Sequence, residues 1–365
     1  MSNIRKKITD IIPVDLFLFN PTKIIGRLLQ LFCHTSCCIC KGNLNASHLP
    51  KSIFCGKVSH MDVSIIIVNY NTRDLLKNCL ISIYKHTTEI NFEVIVSDNG
   101  SVDGSIEMLK QEFPQVVLIE NNANLGFGTA NNRGLAIAKG KYIFYLNSDT
   151  VLLNNAVKMF YDYWENSPEK DSIGALGCNL LDKDGNVTGS WAGFPEPHSI
   201  LIDTIRMNYG LLKIFILGLI GKHIAIPSEN KKVYLKKVGD VDYIFGADLF
   251  LMNDKYAYYD EKIWLYTEET DLQFQLMLAE KKRLLIDGPE IIHLEEQSSI
   301  TSDNQPFEGI VKFSARWKRI SCIYFLRKNI SYSKAFLIKL FTITLWLNPL
   351  VFKYTRQSLW DLIKR

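Results

Sequence analysis

The chain has 365 residues, of which 47% are apolar and 22% are charged. A chain of this size and composition can bury a large core. The composition excludes a mainly polar polypeptide, and the length predicts one main domain with appendages. The formal net charge of +4 hides an uneven distribution. Residues 309–365 carry 12 Lys and Arg side chains and one acid, whereas the preceding residues carry 30 basic and 37 acidic ones. This asymmetry predicts an anionic partner for the C-terminal region: a membrane surface, a diphosphate or nucleic acid.

Residues 1–61 are predicted to form an irregular segment with one amphipathic stretch at residues 24–32. Five of the eight cysteines lie here, at Cys33, Cys37, Cys38, Cys40 and Cys55. The segment does not contain two CxxC pairs at the spacing of a zinc site. We therefore favour reduced cysteines in a cytosolic, partly membrane-facing segment over a structural zinc site. Acidic residues and prolines interrupt the apolar run that a secretory signal requires.

Residues 62–305 alternate strand and helix patterns and are predicted to form the main domain. The strand patterns cover Val63–Asn69, residues 92–97 and residues 141–146, and the helix patterns cover residues 74–86, 103–111, 127–139 and 154–164. Such alternation predicts βαβ units. We therefore expect an α/β fold, with a Rossmann-like, mostly parallel sheet flanked by helices.

Polar side chains follow three of these strands. Asn69 ends the first, Asp98 follows the second, and Asn147 and Asp149 follow the third. Because α/β sheets bind ligands at the carboxyl ends of their strands, these residues indicate a binding site. Asp98 alone could equally be a turn or capping residue, and Asp149 a helix N-cap.

Two of the following loops suggest what is bound. Residues 121–134 are rich in glycine and asparagine, which lets a backbone approach a phosphate closely. Asn147 and Asp149 suit a divalent metal that also contacts a diphosphate, since magnesium-like ions prefer oxygen ligands and need few protein carboxylates.

A third acidic group precedes an amphipathic helix pattern. Glu268, Glu269 and Asp271 lie within four positions. At about 100° per residue, Glu268 and Asp271 share a helix face while Glu269 points elsewhere. Acidic residues also favour a helix N-terminus for purely structural reasons, so the group alone does not identify a catalytic site.

Seven motifs together carry a resemblance to a known family. They are VSIIIVNYN, VSDNGSVDGS, NLGFGTANNRG, YLNSDT, FGAD, YTEETDL, and His293 followed by Ser298. In this order they resemble family 2 nucleotide-sugar glycosyltransferases, in particular the rhamnosyltransferase-like branch of bacterial polysaccharide and O-antigen assembly. The resemblance covers about residues 62–330 and implies a GT-A fold with acceptor-side additions.

The resemblance also implies roles for individual residues. Asn69, Tyr70 and Asn71 would border the nucleotide, Asp98 would bind the imide N–H of a pyrimidine base, and Asn124, Gly126 and Asn132 would line the nucleotide-sugar pocket. Asp149 and His293 would hold Mg²⁺ or Mn²⁺ on the diphosphate, with Asn147 at the place of the first acid of an Asp-x-Asp motif.

For the reaction, the resemblance implies a single inverting displacement. Glu269 would be the general base that deprotonates the acceptor hydroxyl, although relatives carry the shorter Asp there; Asp271 is the second choice. The donor would be dTDP-rhamnose or another dTDP- or UDP-sugar.

Residues 306–365 are predicted to form a basic helical tail that associates with membranes. Residues 334–354 are mostly apolar and approach the ~20 residues that span a bilayer. We favour a helix lying in the interface over a true span, with a buried core helix as the alternative. A second apolar stretch at residues 211–220 is too short to span and could dock beside a lipid tail.

The tail suggests a polyprenyl-diphosphate-linked saccharide acceptor and a location at the cytoplasmic face of the inner membrane, peripheral or monotopic. The cations that suit the acceptor diphosphate, or else form a solvated helix face, are Arg316, Lys318, Arg319, Arg327 and Lys328. We expect no nucleic-acid partner, because these cations alternate with apolar runs rather than stacking surfaces. The alternatives are a sugar nucleotidyltransferase, disfavoured because residues 69–72 lack a glycine-rich basic loop, and a membrane- or nucleic-acid-binding protein with a non-catalytic nucleotide-binding domain.

Overall fold

The computed structural model describes residues 61–219, 234–294, 313–348 and 352–364, within a compact unit that spans Lys57–Arg365. The predictions for the N-terminal cysteines and for residues 24–32 lie outside the described residues, as does Ser298.

The strands alternate with helices along most of the described chain. The strands are β1 (Val63–Asn69), β2 (Phe92–Asp98), β3 (Val117–Glu120), β4 (Tyr142–Leu146), β5 (Thr150–Leu152), β6 (Ile173–Cys178), β7 (Trp191–Ala192), β8 (Gly239–Asp240), β9 (Tyr243–Ile244), β10 (Asp248–Met252), β11 (Lys282–Ile286) and β12 (Ile291–His293). The helices are α1 (Arg73–His86), α2 (Ser105–Glu112), α3 (Phe127–Leu135), α4 (Ala156–Asn166), α5 (Pro197–Leu219), α6 (Glu268–Leu278), α7 (Phe313–Asn329), α8 (Tyr332–Trp346) and α9 (Phe352–Lys364).

Eight strands form the central sheet, in the order β3-β2-β1-β4-β10-β6-β11-β8. The pairs β1–β2, β1–β4, β2–β3 and β6–β11 are parallel, whereas β10 runs antiparallel between β4 and β6. The structure confirms the predicted α/β class with a mostly parallel sheet. Strands β5 and β12 pair outside this sheet as a short antiparallel ribbon.

The third helix is shorter than its predicted range of residues 127–139. It ends at Leu135, after which the amides of Ile137 and Ala138 bond to carbonyls only three residues back. The amides of Lys139 and Gly140 then donate to the hydroxyl of Ser64 in β1, at 3.1 and 2.8 Å. These contacts with the sheet compete with further helical hydrogen bonds, and the periodicity of the sequence does not reveal them.

Aromatic packing dominates one side of the sheet. The ring of Phe250 in β10 stacks on Tyr142 at 5.1 Å and on Phe160 at 5.6 Å between centroids, and lies 6.2 Å from Trp164. All four side chains are almost completely buried. This stack fixes β4, β10 and α4 to one another, and the site residues follow or precede these elements.

The C-terminal helices pack against the main domain rather than extending from it. Phe325, Trp346 and Leu359 share a buried cluster with Ile200 of α5 and Phe274 of α6. In α7, the hydroxyl of Ser321 donates to the carbonyl of Leu265 at 2.8 Å. The helix α7 is therefore bound directly to the loop and helix that carry the acidic group at 268–271.

Among the described residues, three of the five tail cations make hydrogen bonds or ion pairs within the protein. Lys328 bonds to Asp271 and Asp260, Arg319 donates to the carbonyl of Ile200 at 2.5 Å, and Arg316 lies 3.4 Å from Asp361. Lys318 and Arg327 are exposed.

The two apolar stretches predicted from the sequence fall in helices. Residues 211–219 belong to α5, and residues 334–346 to α8. Within the described ranges, none of the helices has the length and apolar character needed to cross a membrane.

Phe250→Ala should lower the free energy of unfolding by about 3–5 kcal/mol, because it removes the ring around which four other aromatic rings pack. Phe336, whose side chain is 55% exposed, provides the matched control. Phe336→Ala should change stability by no more than about 0.5 kcal/mol. Urea unfolding followed by circular dichroism measures both, and equal losses would contradict the central role of Phe250.

Candidate functional site

The ends of β1, β2 and β4 lie side by side at one edge of the sheet. Asn69 and Asp98 are direct partners in the parallel pairing of β1 with β2. The turn after β4 reaches the same edge, where the hydroxyl of Ser148 lies 2.9 Å from that of Thr72. Thr72 in turn donates to the side-chain carbonyl of Asn69 at 2.7 Å. Buried hydrogen bonds thus connect all three strand ends.

The loops after β1 and β2 are joined to each other. The side-chain amide of Asn69 donates to the carboxylate of Asp98 at 2.7 Å and to the hydroxyl of Ser101 at 3.0 Å. Asn71, at a φ of +55°, receives a bond from the backbone N–H of Val102 and donates its own N–H to Ser101. This crosslinking holds both loops in one conformation.

Asp98 is completely buried within this network. Its carboxylate also accepts from the backbone N–H groups of Gly100 and Ser101, at 3.0 and 2.8 Å. Any contact with a base would therefore be additional to three internal hydrogen bonds. Tyr70, 43% exposed, presents an aromatic ring beside this loop.

The glycine-rich loop is built around Gly126. Gly126 has a φ of +88°, and a side chain there would overlap the carbonyl oxygen of Trp264. Its carbonyl accepts from Asn99 at 3.2 Å, and its N–H donates to Asn124 at 3.1 Å. Asn132 exchanges two hydrogen bonds of 2.9 Å with the backbone of Tyr259. In this structure, Asn124 and Asn132 therefore shape the loop and anchor α3.

Asn147, Asp149 and His293 form a compact cluster. The Nε2 atom of His293 lies 3.3 Å from Oδ1 of Asp149 and 3.4 Å from Nδ2 of Asn147. The ribbon of β5 and β12 brings His293 there, because it places His293 opposite Thr150. The side chains of Asp149 and His293 are 4% and 14% exposed.

The donor atoms of this cluster fit a divalent cation. They comprise a carboxylate oxygen and an imidazole nitrogen. Asn147 turns its Nδ2 atom toward the imidazole, and its side-chain oxygen is buried with no hydrogen-bond partner in the described part of the chain. No group of three or more His, Cys, Asp or Glu side chains suited to a metal occurs among the described residues. A cation here would need the amide oxygen and ligands from a substrate.

Asp248, at the start of β10, is a buried acid next to this cluster to which the sequence pattern alone assigns no role. One carboxyl oxygen accepts from the N–H of Cys178 at 2.7 Å, and the other has no partner among the described residues. Burial raises its pKa to about 7, opposed in part by hydrogen bonds from Cys178 and by the charge of His293. The only sequence signal was its place in the FGAD motif.

The three acids at the start of α6 have different environments. Glu268 is buried, and burial followed by the charge of Glu269 raises its pKa well above the usual value. Asp271 accepts from Lys328 at 2.6 Å and from Asn329 at 2.7 Å, so it fastens α7 to α6. Glu269 is partly exposed and packs against Gly246, where an added Cβ would lie 3.4 Å from its own.

Glu269 and the cation-suited cluster flank the same short segment. Gly246 contacts Glu269, and the carbonyl of the next residue, Ala247, accepts from the N–H of Asn147 at 3.1 Å. Burial raises the pKa of Glu269, while the cation of Lys318 lowers it. The site therefore combines a carboxylate whose pKa is raised with donor atoms for a cation, and Gly246 and Ala247 lie between the two.

Residues 64–217 match the sequence model of Glycosyl transferase family 2. The chain is 34% identical over 192 residues to the UDP-Glc:alpha-D-GlcNAc-diphosphoundecaprenol beta-1,3-glucosyltransferase WfaP of Escherichia coli. This alignment covers 47% of this chain and 67% of WfaP. It is 33% identical over 179 residues to the poly(ribitol-phosphate) beta-glucosyltransferase of Bacillus spizizenii, which covers 47% of this chain and 28% of that protein.

Seven relatives other than WfaP are covered over only 28–47% of their length, so the chain spans less than half of each. Among solved structures, TarS of S. aureus superposes with a TM-score of 0.46 at 16% identity, over 83% of this chain and 49% of TarS. The family match includes Asn69, Asp98 and Asp149 but ends before Glu269 and His293.

Asp248→Asn should change how stability depends on pH. The pKa of Asp248 is about 7 in the folded protein and ~3.9 in an unfolded chain. The folded state therefore keeps a proton that the unfolded chain releases, and this contribution to stability is lost as pH rises from about 4 to about 7. The free energy of unfolding should fall less between pH 5 and pH 8 in the variant than in the native protein.

Urea unfolding at both pH values measures this difference. Asp184→Asn, at an exposed turn position, is the control and should retain the full decrease. Equal decreases in the native protein and in Asp248→Asn would show that Asp248 is ionised in the folded state.

Proposed function

Because the chain belongs to glycosyl transferase family 2, we propose that it is an inverting glycosyltransferase of surface polysaccharide synthesis. It transfers rhamnose or a hexose from a dTDP- or UDP-linked donor to a saccharide carried on polyprenyl diphosphate. The observation that carries this proposal is the convergence of Asn147, Asp149 and His293 next to Gly246 and Glu269. A cation-binding group and a basic carboxylate are what the two ends of a sugar transfer require.

The donor nucleotide would lie against the loops after β1 and β2. Tyr70 offers an exposed ring for a base, and Asn71 and Asp98 hold the loops that border it. On the other side, the loop at Gly126 leads to the start of α3, which has no side-chain cap and whose N-terminus favours an anion.

The diphosphate would be bound with Mg²⁺ or Mn²⁺ held by Asp149, His293 and the amide oxygen of Asn147. Such an ion, when bound, stabilises the negative charge of the departing nucleoside diphosphate. The buried oxygen of Asn147 supports this assignment, because a buried acceptor without a partner is costly unless a ligand satisfies it.

Glu269 would act as the general base. Its carboxylate takes the proton of the acceptor hydroxyl while the acceptor oxygen bonds to the anomeric carbon and the bond from that carbon to the diphosphate breaks. Burial raises its pKa, which strengthens it as a base, and Lys318 favours its ionised form. Asp271 is less suited, since Lys328 and Asn329 occupy its carboxylate.

The nature of the acceptor is supported by the C-terminal charge and by one relative. The name of WfaP describes transfer to a sugar on diphosphoundecaprenol. A lipid-linked acceptor would explain the excess of basic residues after position 309 and would place the protein at the cytoplasmic face of the membrane.

Glu269→Gln should lower turnover at least about a hundredfold, because the amide cannot accept the proton, while the donor dissociation constant stays within about twofold. Glu269→Asp should retain more activity than Glu269→Gln. Glu107→Gln, at an exposed position of α2, is the matched control and should be fully active. Release of UDP or dTDP measures turnover, and near-normal turnover in Glu269→Gln would move the base to another residue.

Asp149→Asn should weaken nucleotide binding about tenfold or more in the presence of Mn²⁺, and should make little difference in EDTA. Titration calorimetry with UDP and dTDP measures this, after a hydrolysis screen of UDP- and dTDP-sugars with Mn²⁺ or Mg²⁺ has identified the donor. Asp74→Asn, whose side chain is 79% exposed, controls for the loss of a charge. Binding that is equally strong with Mn²⁺ and with EDTA would argue against a cation at Asp149.

A further inference from the structure

Helix α8 (Tyr332–Trp346) is apolar on the face it buries and also on the face it exposes. Ala335, Ile338 and Trp346 are buried in the C-terminal cluster. On the other side, the exposed side chains include Tyr332 (68%), Phe336 (55%), Leu337 (62%) and Leu340 (51%). A surface helix normally carries polar residues on its outer face, and an exposed apolar face of this kind marks an interaction surface.

A cavity of about 440 Å³ opens beside this face, between α7 and α8. Its walls are mainly aliphatic and aromatic and include Ile320, Ile323 and Ile343. Cavities of this size accommodate small ligands and single apolar chains.

Cations surround the same cavity. Its lining contains Lys262, Arg327 and Lys339, and no Asp or Glu among the described residues. Burial, followed by the charge of Arg327, lowers the pKa of Lys339, so these two cations repel each other. An anionic group between them would relieve this repulsion. Residues 330–348 contribute two lysines and no acid, so the surrounding helix adds to the positive potential.

We propose that this face is a membrane-docking site that takes one anionic phospholipid. The phosphate lies among Lys262, Arg327 and Lys339, and one acyl chain enters the cavity. The exposed apolar side chains of α8 then lie at the boundary between headgroups and acyl chains. An apolar cavity with a cationic rim complements an amphiphile with an anionic head, which is why we assign it to a lipid and not to a second copy of the chain.

Docking here would orient the proposed catalytic base. Helix α7 forms one wall of the cavity and also bonds to the loop and helix that carry Glu269, through Ser321 and Lys328. Docking would hold Glu269 at a fixed distance from the membrane. This purpose rests on the proposed function, because it requires that the same membrane holds a lipid-linked acceptor.

Sedimentation of the full chain with vesicles tests the proposal without donor or acceptor. We expect binding to vesicles of phosphatidylcholine and phosphatidylglycerol, and weaker binding to phosphatidylcholine alone. Phe336→Ser combined with Leu340→Ser should reduce the partition coefficient at least about tenfold. Arg327→Gln combined with Lys339→Gln should reduce it about fivefold or more on anionic vesicles, and little on neutral ones.

The matched control is Met159→Ser combined with Tyr163→Ser in α4. These residues are 38% and 43% exposed and have the same spacing of four positions. The control variant should bind vesicles like the native protein. Native binding retained by Phe336→Ser/Leu340→Ser, or no binding of the native chain to anionic vesicles, would overturn the proposal.

Two further measurements distinguish a lipid from a second copy of the chain, and membrane docking from sugar transfer. A concentration-dependent dimer of the native chain that is lost in Phe336→Ser/Leu340→Ser would assign the face to a second copy instead of a lipid. Donor hydrolysis in solution should be unchanged in Phe336→Ser/Leu340→Ser. Intact hydrolysis by the native chain without vesicle binding would therefore refute the docking site and leave the proposed sugar transfer standing.

Discussion

The short antiparallel pairing of Thr150–Leu152 with Ile291–His293 is the contact on which the candidate site depends. It is closed at both ends by backbone bonds, from Leu294 to the carbonyl of Asp149 and from Leu153 to that of Glu290. Because this ribbon leaves the central sheet, it carries His293 over the end of β4. The imidazole therefore meets Asp149 and Asn147 although it comes from the far end of the domain.

The buried acids around this edge fall into two groups. Asp98 and Asp271 have hydrogen-bond donors on both carboxyl oxygens, which makes them structural elements. Asp248 and Glu268 each have one oxygen without a partner in the described chain, and burial raises the pKa of both. Glu269 lies between these extremes, partly exposed and opposite Lys318. Its raised pKa makes the ionised carboxylate a stronger base.

The cations of the C-terminal helices have two different roles. Arg319 and Lys328 fasten α7 to the main domain, through Ile200 and Asp271. Arg327 and Lys339 face the cavity beside the exposed apolar side of α8. The net charge of this region thus serves both to hold the helices in place and to create a positive surface around an apolar opening.

The amino-acid sequence alone determined three strands of the central sheet, helices α1 to α4 and the edge at which the strands present polar groups. The apolar run Val63–Asn69 was recognisable as a strand because a buried strand must be apolar along its length, and polar residues must follow where it emerges. The ordered motifs likewise pointed to the family, since each is a short run of residues that can be read in the sequence.

Tertiary structure alone decided which of the polar residues meet. The sequence pattern placed Glu268, Glu269 and Asp271 on one helix turn, but only the packing of α7 gave Asp271 its partners and left Glu269 against Gly246. The burial of Asp248 likewise arises from the antiparallel insertion of β10 between β4 and β6. Strand order, register and helix docking are set by contacts between distant segments, and the charge state of a buried group depends on all of them together.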